Sequence, residues 1–135
     1  MYKGGCMTKK EKLLVLKYYV TEYLLETIND NKKIKEYFNK YLVYSTFEID
    51  YYEKKDNYEY VQFDLAAQNT GNIFKYKKNI KTNEYIQMEK PLLCSSKIKK
   101  LDISIEILNE IFNIARENSD LIDLEKKLLK RINNI

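Results

Sequence analysis

Residues 42–65 read LVYSTFEIDYYEKKDNYEYVQFDL, and along this stretch the spacing of apolar side chains changes from a helical repeat to alternation. Val43, Phe47, Ile49 and Tyr51 alternate with Tyr44, Thr46, Glu48, Asp50 and Tyr52; after the turn residues EKKDN, Val61, Phe63 and Leu65 alternate with Tyr60, Gln62 and Asp64. A period of two sends alternate side chains to opposite faces of a strand, so this stretch predicts a hairpin with one buried face. A slip of one residue would turn Phe47 and Ile49 to the wrong face, which restricts the register. Pairing Ile49 with Phe63 would set Glu48 opposite Asp64, and like charges directly opposite destabilise a hairpin. The expected register therefore sets Phe47 opposite Phe63, Ile49 opposite Val61 and Tyr52 opposite Tyr58. Its outer face carries Tyr44, Glu48, Asp50, Tyr52, Tyr58, Tyr60 and Asp64.

The segments on either side supply the other layers. Residues 1–7 contain two glycines and no periodicity, which predicts a disordered leader before a single domain over 8–135. Thr8 followed by Glu11 forms a capping box for a helix whose stripe is Leu13, Leu16, Val20, Leu24 and Ile28. Leu14, Tyr18 and Leu25 widen the stripe, which predicts cover on more than one side. Ile34, Phe38 and Tyr41 predict a short second helix. After the expected loop AAQNTGN, IFKYKKNI and NEYIQMEK form a second hairpin around KTN, and Pro91 ends it. Asp102 is the expected cap of a helix carrying Ile105, Leu108, Ile111, Phe112 and Ala115. Asn118 and Ser119 divide it from a last helix carrying Leu121, Leu124, Leu128 and Ile132, with Lys126, Lys127, Lys130 and Arg131 toward the negative end of its dipole. The fold class is α+β: a four-stranded antiparallel meander of two hairpins, flanked by an N-terminal helix pair and two C-terminal helices.

Composition removes several chemistries. A chain of 135 residues, 44% apolar and 33% charged, has the makings of one soluble globular domain. No apolar run approaches the roughly 20 residues of a membrane span, and LLVLKYYV is interrupted by Lys17 with no small-residue cleavage site after it. The expectation is a cytoplasmic protein, in a bacterial host cell if phage-encoded, with no membrane partner. Cys6 and Cys94 lack metal-ligand spacing and the chain has no histidine, so neither a metal nor a cofactor is expected. Histidine is also the commonest general acid and base, and no nucleophile elbow or phosphate-binding glycine loop occurs, so no enzyme is expected. Asp50, Glu53 and Lys55 resemble the Asp, then Glu-x-Lys, order of one superfamily of metal-dependent nucleases. The likeness spans six residues, and its Glu-x-Lys element falls in an expected turn where that family needs a strand.

Tyrosine is abundant at 13 residues, but Lys, Ile, Asn and Tyr all have A+T-rich codons, so a low-GC genome accounts for the number. Only placement carries information. Charge is segregated, with the tyrosine hairpin acidic and the following segment basic. A base-stacking platform needs aromatics in a positive groove, whereas amphipathic tyrosines rimmed by carboxylates suit a protein partner. The leading expectation is a small non-enzymatic protein that binds and sterically inhibits another protein, with a host nucleic-acid-binding effector as its target. In type it resembles the accessory proteins of phages and mobile elements, a class that includes anti-CRISPR inhibitors. The competing expectation is a nucleic-acid-binding regulator using Lys75, Tyr76, Lys77, Lys78, Lys81, Lys97, Lys99 and Lys100. Against it, lysine on an edge strand is also a guard against aggregation, and arginine, the preferred reader of phosphate, occurs only at 116 and 131. Ile122, Leu129 and Ile135, off the stripe of the last helix, are the expected contact of a homodimer.

Overall fold

A computed structural model describes residues 6–40, 46–67, 70–88 and 103–135. Tyr41, Tyr44, Pro91, Cys94, Lys97, Lys99, Lys100 and Asp102 lie outside them, as do the expected strand residues 42–45 and most of the expected leader. Helix α1 (Lys9–Asn29) starts at the expected box: the Thr8 hydroxyl accepts from the Glu11 amide at 3.1 Å and the Glu11 carboxylate accepts from the Thr8 amide at 3.0 Å. Helix α2 (Lys32–Asn39) is capped by Asn31, which accepts from the Ile34 amide at 3.0 Å. Four strands follow, β1 (Thr46–Lys55), β2 (Tyr58–Ala67), β3 (Thr70–Asn79) and β4 (Tyr85–Gln87), then helices α3 (Ile105–Glu117) and α4 (Ser119–Asn133). The sheet is antiparallel in the order β1-β2-β3-β4, so the fold is the expected α+β meander between helix pairs.

The turns are tighter than their composition implies. β1 runs through Lys55, which pairs with Tyr58, leaving only Asp56 and Asn57 to turn the chain. Asp56 takes a left-handed φ of 57°, a conformation Asp and Asn tolerate better than most residues. At the second turn Asn83 does the same at φ 59°, while the Asn79 side chain accepts from the amides of Lys81 and Thr82 at 2.9 and 3.2 Å. Pairing of β2 with β3 continues to Ala67 opposite Thr70 where a seven-residue loop was expected, because each added pair satisfies backbone groups the loop would leave to water.

One face of the sheet is packed by phenylalanine. Phe47, Phe63 and Phe74 stack across β1, β2 and β3 with ring centroids 5.2 and 5.0 Å apart, and Tyr76 stacks on Phe63 at 6.2 Å. Ile34 and Phe38 of α2, Ile107, Leu108, Ile111, Phe112 and Ala115 of α3, Ile28 of α1 and Ile122 of α4 close this core. A second cluster, Leu13 and Val20 with Leu128 and Ile132, joins α1 to α4. The two run antiparallel: the start of α1 meets the end of α4, and Thr21 donates to Glu125 midway.

Four expectations change here. Ser104, not Asp102, caps α3 by accepting from the Ile107 amide at 3.4 Å, and the later start turns Ile105 outward while Ile107 enters the core. Ile122 is core, so the expected dimer contact of Ile122, Leu129 and Ile135 is broken up, with only Leu129 and Ile135 exposed. Helix α1 is covered on one side alone, since Leu14, Leu16 and Tyr18 are all exposed. The register of the tyrosine hairpin also differs. Glu48 does face Asp64 and Ile49 does face Phe63, but beyond a bulge at Asp50 the pairs become Tyr51 with Gln62 and Tyr52 with Val61. One extra residue on one strand exchanges the faces of everything after it. The opposition of Glu48 to Asp64 that the expected register avoided is therefore present, and it adds to the burial that raises the Glu48 carboxyl.

Candidate protein-binding face of the sheet

The bulge decides which tyrosines reach the open face. Tyr52 turns to the helix-covered side, opposite Val61, where it packs against the core and its hydroxyl donates to Glu59 at 2.5 Å. It is not the exposed anchor expected. Tyr51 takes its place on the open face, where the Lys126 ammonium stands 3.8 Å from its ring centroid. Tyr58 and Tyr60 lie on the open face as expected, half-buried and tilted against one another at 6.3 Å.

Strand β3 adds charge of the opposite sign beside these rings. Tyr60 is flanked by Glu53 on β1 and Lys77 on β3, and Gln62 by Tyr51 and Lys75. Along β1 the face carries Glu48, Asp50 and Glu53 together with Tyr51 and Lys55, along β2 tyrosines with Gln62 and Asp64, and along β3 Lys75 and Lys77. Glu53 accepts from the Tyr51 hydroxyl, and Lys77 lies 4.7 Å from the Tyr58 ring centroid. A groove of about 390 Å³ opens across it, lined by Tyr51, Glu53, Lys55, Tyr60, Lys75 and Met88 among others. The expected acidic face is thus one half of a surface whose other half is basic.

At its acidic end the face carries crowded carboxylates. Burial, followed by the charges of Glu48 and Asp64, pushes Asp50 up to about 7 against an opposing hydrogen bond from Gln62. Burial raises Glu48 too, followed by the charges of Glu125 and Asp64, while Lys17 opposes. Glu48 and Glu125 also line a small cavity of about 20 Å³ between α1, β1 and α4, so these helices border the face at its acidic end and Glu48 is turned toward them.

The basic residues expected to bind nucleic acid are, where described, divided between two faces and a turn. Tyr76 is buried in the phenylalanine stack, and Lys78 stands on the helix-covered side, opposite Glu59 and 5.5 Å from the ring centroid of Tyr85. Lys81 sits exposed in the second turn. Among the described residues of this set, Lys75 and Lys77 share the open face. Alternation along β3 separates Lys78 from its neighbours, as period two requires.

The nuclease-like trio is also rearranged. Glu53 and Lys55 stand on strand β1 rather than in a turn, but the carboxylates acting on Asp50 are Glu48, Asp64 and Glu125, with Glu53 not among them. Among the described residues no group of three or more His, Cys, Asp or Glu could hold a metal ion, and no helix is long and apolar enough to cross a membrane.

One feature escaped the sequence reading. Glu59 is 4% exposed on the helix-covered side and takes a two-pronged grip from Arg116 of α3, with Nε and Nη2 each donating at 2.7 Å. Burial alone would raise its carboxyl; the Arg116 and Tyr52 hydrogen bonds overcome this and hold it below the usual range. Arg116 in turn donates from Nη1 to Asn113 at 2.8 Å. Glu59 occupies the apolar register of Val61 and Phe63, and an acid in such a run is the signal that a cation must meet it.

No known protein family matches the chain, and neither a curated protein nor a solved structure matches it.

Proposed function

We propose that the chain acts by binding another protein through the open face of its sheet, without catalysing a reaction. The arrangement of this face supports the reading: Tyr58 and Tyr60 in the middle, Glu48, Asp50 and Glu53 with Tyr51 and Lys55 on the β1 side, and Lys75 and Lys77 on the β3 side. Tyrosine is an effective interface anchor because its ring buries apolar area while its hydroxyl keeps a polar partner. Opposite charges on the two flanks fix the orientation of a complementary protein. A nucleic-acid strand fits less well, since phosphates are repelled by the β1 carboxylates and the rings of Tyr51 and Tyr58 are each occupied by a lysine. The β1 carboxylates carry the sign of charge that phosphates present to a basic groove. That supports a nucleic-acid-binding effector as the target and, within this class, an inhibitor of a host defence nuclease of the kind phages encode.

Affinity capture from host lysate, comparing wild type with a Tyr51→Ala/Tyr60→Ala variant, tests the reading. The expected result is a captured basic protein whose affinity for the variant is at least about 10-fold weaker. In parallel, labelled DNA and RNA of about 20 nucleotides are titrated in about 50 mM salt. Tight, salt-sensitive oligonucleotide binding that Lys75→Glu/Lys77→Glu removes would replace the protein-binding reading with the nucleic-acid one.

A further inference from the structure

Helix α1 packs on α4 and the edge of β1 through Leu13, Val20, Leu24 and Ile28, yet its opposite side also carries large apolar residues. Val15 is 42% exposed, Leu16 46%, Tyr19 65% and Tyr23 54%, all on the turns facing away from α4. A surface helix ordinarily carries charge on that side, and a contiguous apolar strip left in water marks an interaction site.

The order of residues on this strip is symmetric. Lys12, Val15, Tyr19, Tyr23 and Glu26 follow at intervals of three, four, four and three residues, the repeat that keeps side chains on one seam of a helix pair. Tyr19 stands at the centre, with an apolar residue one step away on each side and a charge beyond. The two outer charges are opposite in sign, lysine toward the N-terminus and glutamate toward the C-terminus. Lys9 flanks the basic half and Glu22 and Asp30 the acidic half, while Lys17 turns to the β1 side toward Glu48 and Glu11 is held in the Thr8 capping box. Laid antiparallel on itself about a two-fold axis at Tyr19, the strip matches: Tyr19 meets its own copy, Val15 meets the partner subunit's Tyr23, and Lys12 meets the partner subunit's Glu26. Leu16 lies beside the same partner tyrosine and widens the contact. A parallel pairing would set Lys12 against lysine and Glu26 against glutamate, and it would align the two helix dipoles unfavourably.

We propose that α1 is a self-association surface on which a second copy of this chain docks antiparallel, and that the protein is a two-fold symmetric homodimer. A two-fold contact of this kind uses one patch twice and closes after two copies, leaving no free strip to recruit a third. The open face of the sheet lies outside the contact, so the dimer presents two copies of it and gains avidity for a partner with paired sites.

Sedimentation equilibrium of the full chain across about 1 to 500 µM tests the proposal, since one short helix pair lies at the small end of stable interfaces and implies micromolar association. Tyr19→Glu, which brings two like charges together on the axis, is expected to weaken the dimer at least about 100-fold. Circular dichroism should be unchanged, because the position is exposed. Lys12→Glu and Glu26→Lys alone should each weaken it about 10-fold, and the double reversal should return the constant to within about 3-fold of wild type. That rescue is specific to the antiparallel pairing. A wild-type chain that stays monomeric throughout overturns the proposal, as does a dimer indifferent to Tyr19→Glu or a charge reversal without rescue.

Discussion

Glu59 and Asp50 stand on opposite faces of the same hairpin, and burial has opposite outcomes for their carboxyl groups. Glu59 is the less exposed to solvent, yet its carboxyl is held below the usual range because Arg116 and Tyr52 supply hydrogen bonds that burial cannot outweigh. Among the described residues no such cation acts on Asp50. The charges on its side, Glu48, Asp64 and Glu125, share its sign and reinforce the effect of burial. The first site therefore fastens α3 to the sheet at neutral pH, while the second is held against its own repulsion by the packing beneath it. A face kept under repulsion is one that a cationic partner would relieve, which agrees with the open face as the docking surface.

The largest effect expected from breaking this contrast comes from the fastened site. Arg116→Ala leaves Glu59 buried without its cation and should lower stability by about 2 kcal/mol in urea unfolding, less than for a fully buried pair because Arg116 is part-exposed. The loss should shrink in acid. Glu59 has a lowered folded value, so its contribution is present above the ordinary 4.5 and disappears as pH falls through the lowered one. Adding Glu59→Gln to Arg116→Ala should recover about half of the loss, because the uncompensated charge is gone. A double variant as unstable as the single would place the cost in packing of the Arg116 stem rather than in the charge.

Tyr52→Phe sharpens the same site with a smaller change. It removes one donor to a buried carboxylate while keeping the ring against the core, and should cost about 1.5 kcal/mol by the same measurement. Had the hairpin followed an unbroken ladder, Tyr52 would face solvent and the substitution would be silent.

That unbroken ladder marks the limit of what could be read from the residues alone. Helix starts were legible because a cap such as Thr8 with Glu11 is local, and strands were legible because alternation is local. The register was not, because every pairing considered kept the alternation of Phe47 and Ile49 continuous, and an extra residue at Asp50 breaks that rule. The adjacent tyrosines at 51 and 52 were the available hint, since one can face each way across a bulge. Exposure along α1 was misread for a related reason: spacing identifies apolar faces but does not say how many have partners. Of the tyrosines expected to share one face, Tyr58 and Tyr60 do so. The merging of Glu53 and Lys77 around Tyr60 required the β2 to β3 pairing, a contact between segments that no single stretch encodes.

The smallest effect belongs to Asp50, and it runs the other way. Its carboxyl is raised from 3.8 to about 7, so the folded state holds a proton that the unfolded chain has already released in the window between those values. Stability from this group is full below 3.8 and is lost as pH rises through about 7, which makes the ionised form a liability near neutrality. Asn keeps an acceptor for Gln62 and cannot ionise. Asp50→Asn should therefore stabilise the protein by about 1 kcal/mol at about pH 8, a figure well below the full shift because the half-solvated group is partly screened. Near about pH 4 the gain should vanish, since Asp50 is then largely protonated in the folded protein and mimics the amide. Thermal melts of both chains across this range would show two curves converging in acid. Parallel curves would mean that Glu48, Asp64 and Glu125 do not act on Asp50 in solution, and the contrast with Glu59 would lose its electrostatic basis.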